Sequence, residues 1–253
     1  MASINVHSPE WIRTFLDTVA PEQTAREVAF LGRMLPLFTH ARVLDVCCGD
    51  GRHARPLALA GYAMTGIDAN AVLIQRARVR WHEDDANAFG ADDGADPRAP
   101  VFHVHDMRAM HDFEDGFDAV TCMWSSFGLF DGATNADVLL QMARRVRPGG
   151  RVVLDLYNPD FFEAHQGVRQ LERAGRTVRE EKTCAAGMLI VRHHYDDGSE
   201  STFRWQLFSP AALADVARAA DLNVALLCAR FDPNTAPAPD EPRMQVVLER
   251  VNP

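Results

Sequence analysis

VLDVCCGDGRHA, residues 43–54, is an apolar run that breaks into a glycine-containing turn and then into residues that can open a helix. Val43, Leu44 and Val46 have the continuous apolar character of a strand buried on both faces, as in a parallel sheet. A strand entering such a turn ahead of a helix offers backbone N–H groups and a close approach to a ligand at the sheet edge. Gly49, Gly51 and Ala54 also satisfy the dinucleotide pattern with alanine in third place, a weak signal that leaves the ligand open.

The elements around this stretch set the fold class. Helices are expected over 9–19 and 22–38, the second with Thr24 as a cap ahead of Glu27. Beyond the turn the pattern reads helix 52–60, strand 63–68, helix 70–81, strand 100–105, strand 117–123, helix 134–146, a turn at Arg147-Pro148-Gly149-Gly150 and strand 151–157. Strands alternating with helices imply a parallel sheet covered on both faces. Three further strands at 176–184, 187–196 and 201–208, joined by short turns, predict a small antiparallel insertion. Helix 210–220, strand 222–230, the proline-rich linker DPNTAPAPDEP and strand 243–251 complete the pattern.

The expected fold is therefore α/β: a doubly wound, seven-stranded mixed sheet with a helical N-terminal cover and a small antiparallel insertion. It is laid out as a single domain over 1–253, with the cover at 1–40, the core at 41–157, the insertion at 174–208 and completion of the sheet at 209–253. The acidic stretch 82–99 is expected to be a solvated loop.

Composition narrows the partners. The chain has 253 residues, 47% of them hydrophobic, enough for a full core. A formal charge of -9 offers no broad positive field to a phosphate backbone, so nucleic acid is not expected as a partner. No segment resembles a secretory signal or a membrane span, and a cytoplasmic protein with no membrane partner is expected. Five scattered cysteines do not form a disulfide framework, no ligand quartet has zinc spacing, and no metal is expected. The small-molecule reading is preferred.

Three carboxylates discriminate between ligands. Asp45 precedes the turn, Asp68 ends the second strand in GIDAN, and Asp106 with Met107 follows the third. Acid at all three strand ends suits a positively charged adenosine ligand and repels a pyrophosphate. Together VLDVCCGDGRHA, GYAMTGIDAN, HDMRAM, FDAVTCMWSSFGLF and RPGGRVVLDLYN resemble, in order and spacing, the class I S-adenosylmethionine-dependent methyltransferases. The resemblance is strongest over residues 24–157 and points to bacterial small-molecule methyltransferases of secondary metabolism.

That resemblance implies S-adenosyl-L-methionine as cofactor. The loop from Asp45 through Cys47, Gly49 and Gly51 would surround its methionyl part, with Asp45 near the amino group. Asp68, followed by Ala69, would hold the ribose, Asp106 and Met107 the adenine, and Met123 would flank the cofactor. Cys47 stands where the family has a glycine. The expected acceptor is a small, planar-capable metabolite methylated on nitrogen or oxygen, in a pocket built from Trp11, Trp124, Ser125, Phe127, Tyr157 and Arg204. No catalytic residue is singled out among the histidines His103, His105, His111, His165, His193 and His194. An NAD-dependent oxidoreductase and a non-catalytic cofactor-binding protein are the alternative functions, and oligomeric state is not read from the sequence.

Overall fold

The computed structural model describes residues 4–85 and 96–251. Most of the expected acidic loop, residues 86–95, lies outside the described residues.

β1 (Arg42–Val46) is the central strand the opening stretch predicts, with Val43, Leu44 and Val46 completely buried. It pairs in parallel with β2 (Ala63–Asp68) on one side and β4 (Phe117–Cys122) on the other. β3 (Val101–Val104) extends the sheet beyond β2, and β5 (Val146–Tyr157) beyond β4. β11 (Arg243–Arg250) joins β5 antiparallel, and β10 (Leu222–Ala229) lies outside it, so the sheet runs β10, β11, β5, β4, β1, β2, β3. The proline linker closes the β10–β11 pair as expected.

The period of two along the strands sorts side chains between two cores. Leu44, Val46, Val120 and Leu154 pack with α5 (Gly132–Arg145) and α7 (Pro210–Ala219). Val43, Met64, Ala119 and Val153 pack with α2 (Pro21–Met34), α3 (Ala54–Leu59) and α4 (Ala71–Asp85). Fully burying a Leu or Phe stabilises by about 1.5–3 kcal/mol relative to exposure, so these two layers hold the sheet.

Capping chemistry sets the helix starts. Asn70 Oδ1 accepts from the Val72 and Leu73 N–H groups at the start of α4, and Asp131 and Ser209 cap α5 and α7. Thr24 does not cap: α2 begins three residues earlier with Pro21 at its first turn, and the Thr24 hydroxyl instead accepts from Arg52. The expected helix 9–19 is a short α1 (Pro9–Trp11) continued by a π-turn at Ile12–Leu16.

Two segments extend regular structure beyond expectation. β5 absorbs the Arg147-Pro148-Gly149-Gly150 segment, with the register against β4 shifting between Phe117 and Ala119 and Gly149 at positive φ. The insertion is a four-stranded antiparallel sheet, not three-stranded: β6 (Gly167–Arg173) precedes β7 (Arg176–Ala185), β8 (Met188–Tyr195) and β9 (Glu200–Gln206). The added layer therefore starts at Gly167 rather than 174. α6 (Pro159–Ala164) leads into it from β5. β6 lacks an apolar alternation because its residues are exposed or half-buried, and pairing with β7 supplies its order. Among the described residues no helix is long and apolar enough to cross a membrane.

Candidate active site

The turn after β1 is tied to β2 by its backbone. The Cys48 N–H donates to the Ile67 carbonyl at 3.0 Å, and the Gly49 N–H to Asp68 Oδ2 at 3.0 Å. Asp68 Oδ1 accepts from the Asn70 N–H at 2.8 Å, so one carboxylate couples the two strand ends. Burial pushes the Asp68 carboxyl up, opposed by those two N–H bonds.

Within this turn Cys47 takes φ +58°, a left-handed conformation that glycine adopts freely and L side chains resist. Its sulfur rests 3.6 Å from Met107 Sδ, a soft contact that a thiol can make. Gly49 (φ +56°) meets nothing within 4 Å where a Cβ would stand, so the chain leaves open space there. Replacing Cys47 by Val, a β-branched residue in the same left-handed geometry, should destabilise the protein by about 1–2 kcal/mol. Cys47→Gly should stay close to wild type, since relief of the backbone offsets the lost sulfur contact; urea denaturation separates the two.

The end of β4 is shaped by a second buried carboxylate. Trp124 and Ser125 both stand at φ +59°. Asp155, fully buried on β5, accepts from the Trp124 N–H at 3.0 Å, and its carbonyl accepts from the Ser125 N–H at 2.9 Å. Arg243 Nη1 donates to the same carboxylate oxygen as Trp124 at 2.6 Å, and the other oxygen accepts from Gln245 Nε2 at 2.8 Å. Trp205 Nε1 donates to the Ser125 carbonyl at 2.8 Å, linking this bend to the insertion.

These elements enclose one large cavity of about 920 Å³. On its wall stand Cys47, Gly49, Asp68, Ala69, Asp106, Met107 and Met123 at one side, and Trp11, Trp124, Ser125 and Tyr157 at the other. Asp106 caps a short 3-10 turn (Met107–Asp112) and pairs with Arg108 at 2.5 Å, which holds its carboxyl below the usual carboxylate range. Aromatic rings dominate the second region: Trp11 lies 5.7 Å from Phe15 and, edge-on, 5.7 Å from Trp124. Tyr157 meets Trp205 at 5.0 Å, and burial pushes its phenol up to about 12.

Four expected site residues are not on that wall. Asp45 is buried on the sheet face it shares with Val43; its Oδ1 accepts from the Thr121 hydroxyl at 2.8 Å, while Oδ2 has no partner, and burial pushes this carboxyl up. Gly51 (φ +77°) serves packing, since a Cβ there would meet Phe102 at 2.9 Å and Ala77 at 3.2 Å. Phe127 is in the core against Phe208. Arg204 is exposed, because alternation along β9 turns its neighbours Phe203 and Trp205 inward and Arg204 outward.

Of the six histidines weighed as bases from sequence, His193 alone lines the cavity; His53, at the start of the helix after the turn, lines it too, and His7 joins it unexpectedly. His7 packs against Trp11 and Phe203 at 4.2 and 5.3 Å, and burial pushes it down to about 4. His53 Nε2 lies 2.8 Å from Glu27, which also holds Arg52 and Arg243. Arg169, Glu180 and Lys182 of the insertion also line it without having been expected. The sequence signal for Glu180 and Lys182 was their period-two spacing with Val178, which puts all three on the buried face of β7.

A methyltransferase-domain family profile matches residues 12–227. Among curated proteins, the chain is 34% identical over 143 residues to the dTDP-3-amino-3,6-dideoxy-alpha-D-glucopyranose N,N-dimethyltransferase of Streptomyces fradiae, covering 54% of this chain and 49% of that one. It is 33% identical over 148 residues to the glycine N-methyltransferase of Rattus norvegicus, covering 55% and 48%. The chain thus spans about half the length of the curated relatives it matches. Among solved structures, the CcbJ methyltransferase from Streptomyces caelestis superposes with a TM-score of 0.73 at 18% identity, over 92% of this chain and 91% of that one.

Proposed function

The chain belongs to the class I S-adenosylmethionine-dependent methyltransferase family, and from that membership we propose that it transfers a methyl group from S-adenosylmethionine to a small acceptor, on nitrogen in the preferred reading. The observation that carries this is a single cavity running from the β1 turn, past Asp68 and Asp106, to the aromatic wall of Trp11, Trp124 and Tyr157.

The residues present fit the cofactor. Asp68, already accepting two backbone N–H groups, has lone pairs left for ribose hydroxyls, and Asp106 with Met107 would take the adenine. Open space at Gly49 leaves room for the methionyl chain beside Cys47, Ala69 and Met123, while Asp45 and Gly51 would support the turn from behind. When bound, S-adenosylmethionine supplies a methyl group on a positively charged sulfur, already activated for displacement.

The protein's own task is then alignment and exclusion of water. Trp11, Trp124, Ser125 and Tyr157 would orient the acceptor, and aromatic faces favour a nitrogen centre that becomes cationic as it is methylated. One observation favours a second reading, an oxygen acceptor: His7 is held neutral at pH 7 on the cavity wall, able to take a hydroxyl proton.

Isothermal titration tests the proposal. S-adenosylmethionine and its demethylated product, S-adenosylhomocysteine, should bind and NAD should give no heat. Binding of NAD in place of both would overturn the reading in favour of an oxidoreductase.

A further inference from the structure

The chain contains 26 lysines and arginines together, and only one of them, Lys182, is a lysine. That lysine is not on the surface. Its side chain is 10% exposed, on the buried face of β7 and on the cavity wall.

Its neighbours form a polar rung across the insertion sheet. Arg169 on β6 stands directly opposite Glu180 on β7, Glu180 opposite His193 on β8, and His193 opposite Ser201 on β9. Arg169 Nε donates to Glu180 Oε1 at 2.6 Å, Lys182 Nζ lies 3.1 Å from the same oxygen, and His193 Nε2 lies 3.2 Å from Oε2. The face around the rung is otherwise apolar: Val178, Leu189, Val191 and Phe203. Glu180 and Lys182 are buried while the Arg169 side chain is 56% exposed; burying charges in this way adds little net stability compared with apolar packing, so stability alone is a poor reason for this cluster.

The charges do not cancel here. Elsewhere on the wall Arg108 pairs with Asp106, Asp50 with Arg80, and Arg52 and Arg243 with Glu27 and Asp155. In the rung, Arg169 and Lys182 share the single carboxylate of Glu180. Burial pushes that carboxyl up, but the His193 and Arg169 hydrogen bonds and the two cations outweigh it and hold it down to about 2, so Glu180 stays ionised. The terminal guanidinium nitrogens of Arg169 and the remaining ammonium protons of Lys182 have no acceptor among the described residues. A further cation at Glu180 is disfavoured, because its oxygens are already engaged by Arg169, Lys182 and His193.

We propose that Arg169 and Lys182, steadied by Glu180 and His193, form an acceptor subsite that takes an anionic group, a carboxylate or a phosphate, on the molecule to be methylated. This rests on the methyl-transfer reading and specifies its substrate class. Phe15, whose ring lies 4.6 Å from His193, and Phe162, 5.6 Å from Lys182 Nζ, would pack the acceptor's apolar body. A compact ammonium with rotatable donors suits this crowded position, where a planar guanidinium would need a wider approach.

A chain with one lysine gives one side-chain signal. Protein labelled with 15N-lysine should show a single Nζ resonance, to be followed during titration with indole-3-acetate, inorganic phosphate and tryptamine, with and without S-adenosylhomocysteine. Indole-3-acetate, phosphate or both should move the signal saturably, which of them does so distinguishing the anion, and tryptamine should not. In calorimetry Lys182→Met should weaken binding of the active anion at least tenfold and Arg204→Ala should leave it unchanged, S-adenosylhomocysteine affinity being kept in both. The intact protein's Nζ shift requires no variant, so a poorly folded Lys182→Met protein does not remove the test.

A response to tryptamine alone, no response to any probe, or equal anion affinity in Lys182→Met would overturn the subsite. Normal cofactor binding with no anion binding would strike this inference alone. Anion binding without cofactor binding would strike the methyl-transfer reading and leave an anion site with no acceptor role.

Discussion

Replacing Asp68 by Ala is expected to raise the dissociation constant for S-adenosylhomocysteine roughly 10- to 150-fold, about 1.5–3 kcal/mol, the range for hydrogen bonds to a charged group. Two losses combine. The ribose would lose its carboxylate acceptor, and the Gly49 and Asn70 N–H groups would lose the group that couples the β1 turn to the start of α4. Asp68→Asn separates them, because an amide oxygen can keep one backbone bond without the charge. It should fall between wild type and Ala. Calorimetry measures both variants, and unchanged affinity in Asp68→Ala would remove this residue from the cofactor site.

The second large effect is on stability. Glu27 is completely buried, yet it ties α2 to two other segments, the start of α3 and β11. His53 Nε2 lies 2.8 Å from it, Gln23 Nε2 donates at 3.0 Å, Arg243 Nη2 at 3.3 Å, and Arg52 pairs with the same carboxylate. Glu27→Ala leaves two guanidinium groups and a histidine near a cavity that no longer balances them. Breaking a buried ion pair from one side costs about 3–5 kcal/mol. For a chain of this size that lowers Tm by on the order of 10 °C, measurable by calorimetric melting.

The pH dependence has a defined sign. Burial raises the Glu27 carboxyl, but the hydrogen bond and charge of His53 and the charge of Arg52 outweigh it and leave it well below the ordinary carboxylate value of 4.5. The unfolded chain therefore takes up this proton first as pH falls. The contribution is full above about pH 4.5 and is lost on further acidification, so Glu27→Ala should flatten the acid limb of the stability curve. A variant as stable as wild type would show that Arg52 and Arg243 find other partners.

Much of the site follows from local chemistry. Asp68, Asp106 and the glycine turn stand at strand ends, and strand ends are readable because their apolar runs stop at polar or glycine residues. Asp45 stands off the cavity wall for a related reason: a motif names a residue but does not say to which face of its strand the side chain turns. Alternation sends Asp45 toward the α2–α4 layer, where it holds Thr121. Arg204 fails in the same way, one residue from the inward-facing Trp205.

His7, Arg169, Glu180 and Lys182 carried no motif at all. β6 has no buried alternation from which to infer it, so the rung it begins exists only once three pairings put Arg169, Glu180, His193 and Ser201 in register. His7 reaches the cavity because the N-terminal segment is fastened across it, with Asn5 accepting from the Arg204 N–H at 2.7 Å and donating to the Leu129 carbonyl at 2.7 Å.

By itself the sequence determined the doubly wound sheet, the family, and the carboxylates at the strand ends, because hydrophobic periodicity and turn chemistry act over a few neighbouring residues. Only the tertiary structure decided how the far wall of the cavity is charged. Cross-strand register and the face each side chain takes arise between segments distant in the chain, and VLDVCCGDGRHA could announce a ligand turn without saying what would stand opposite it.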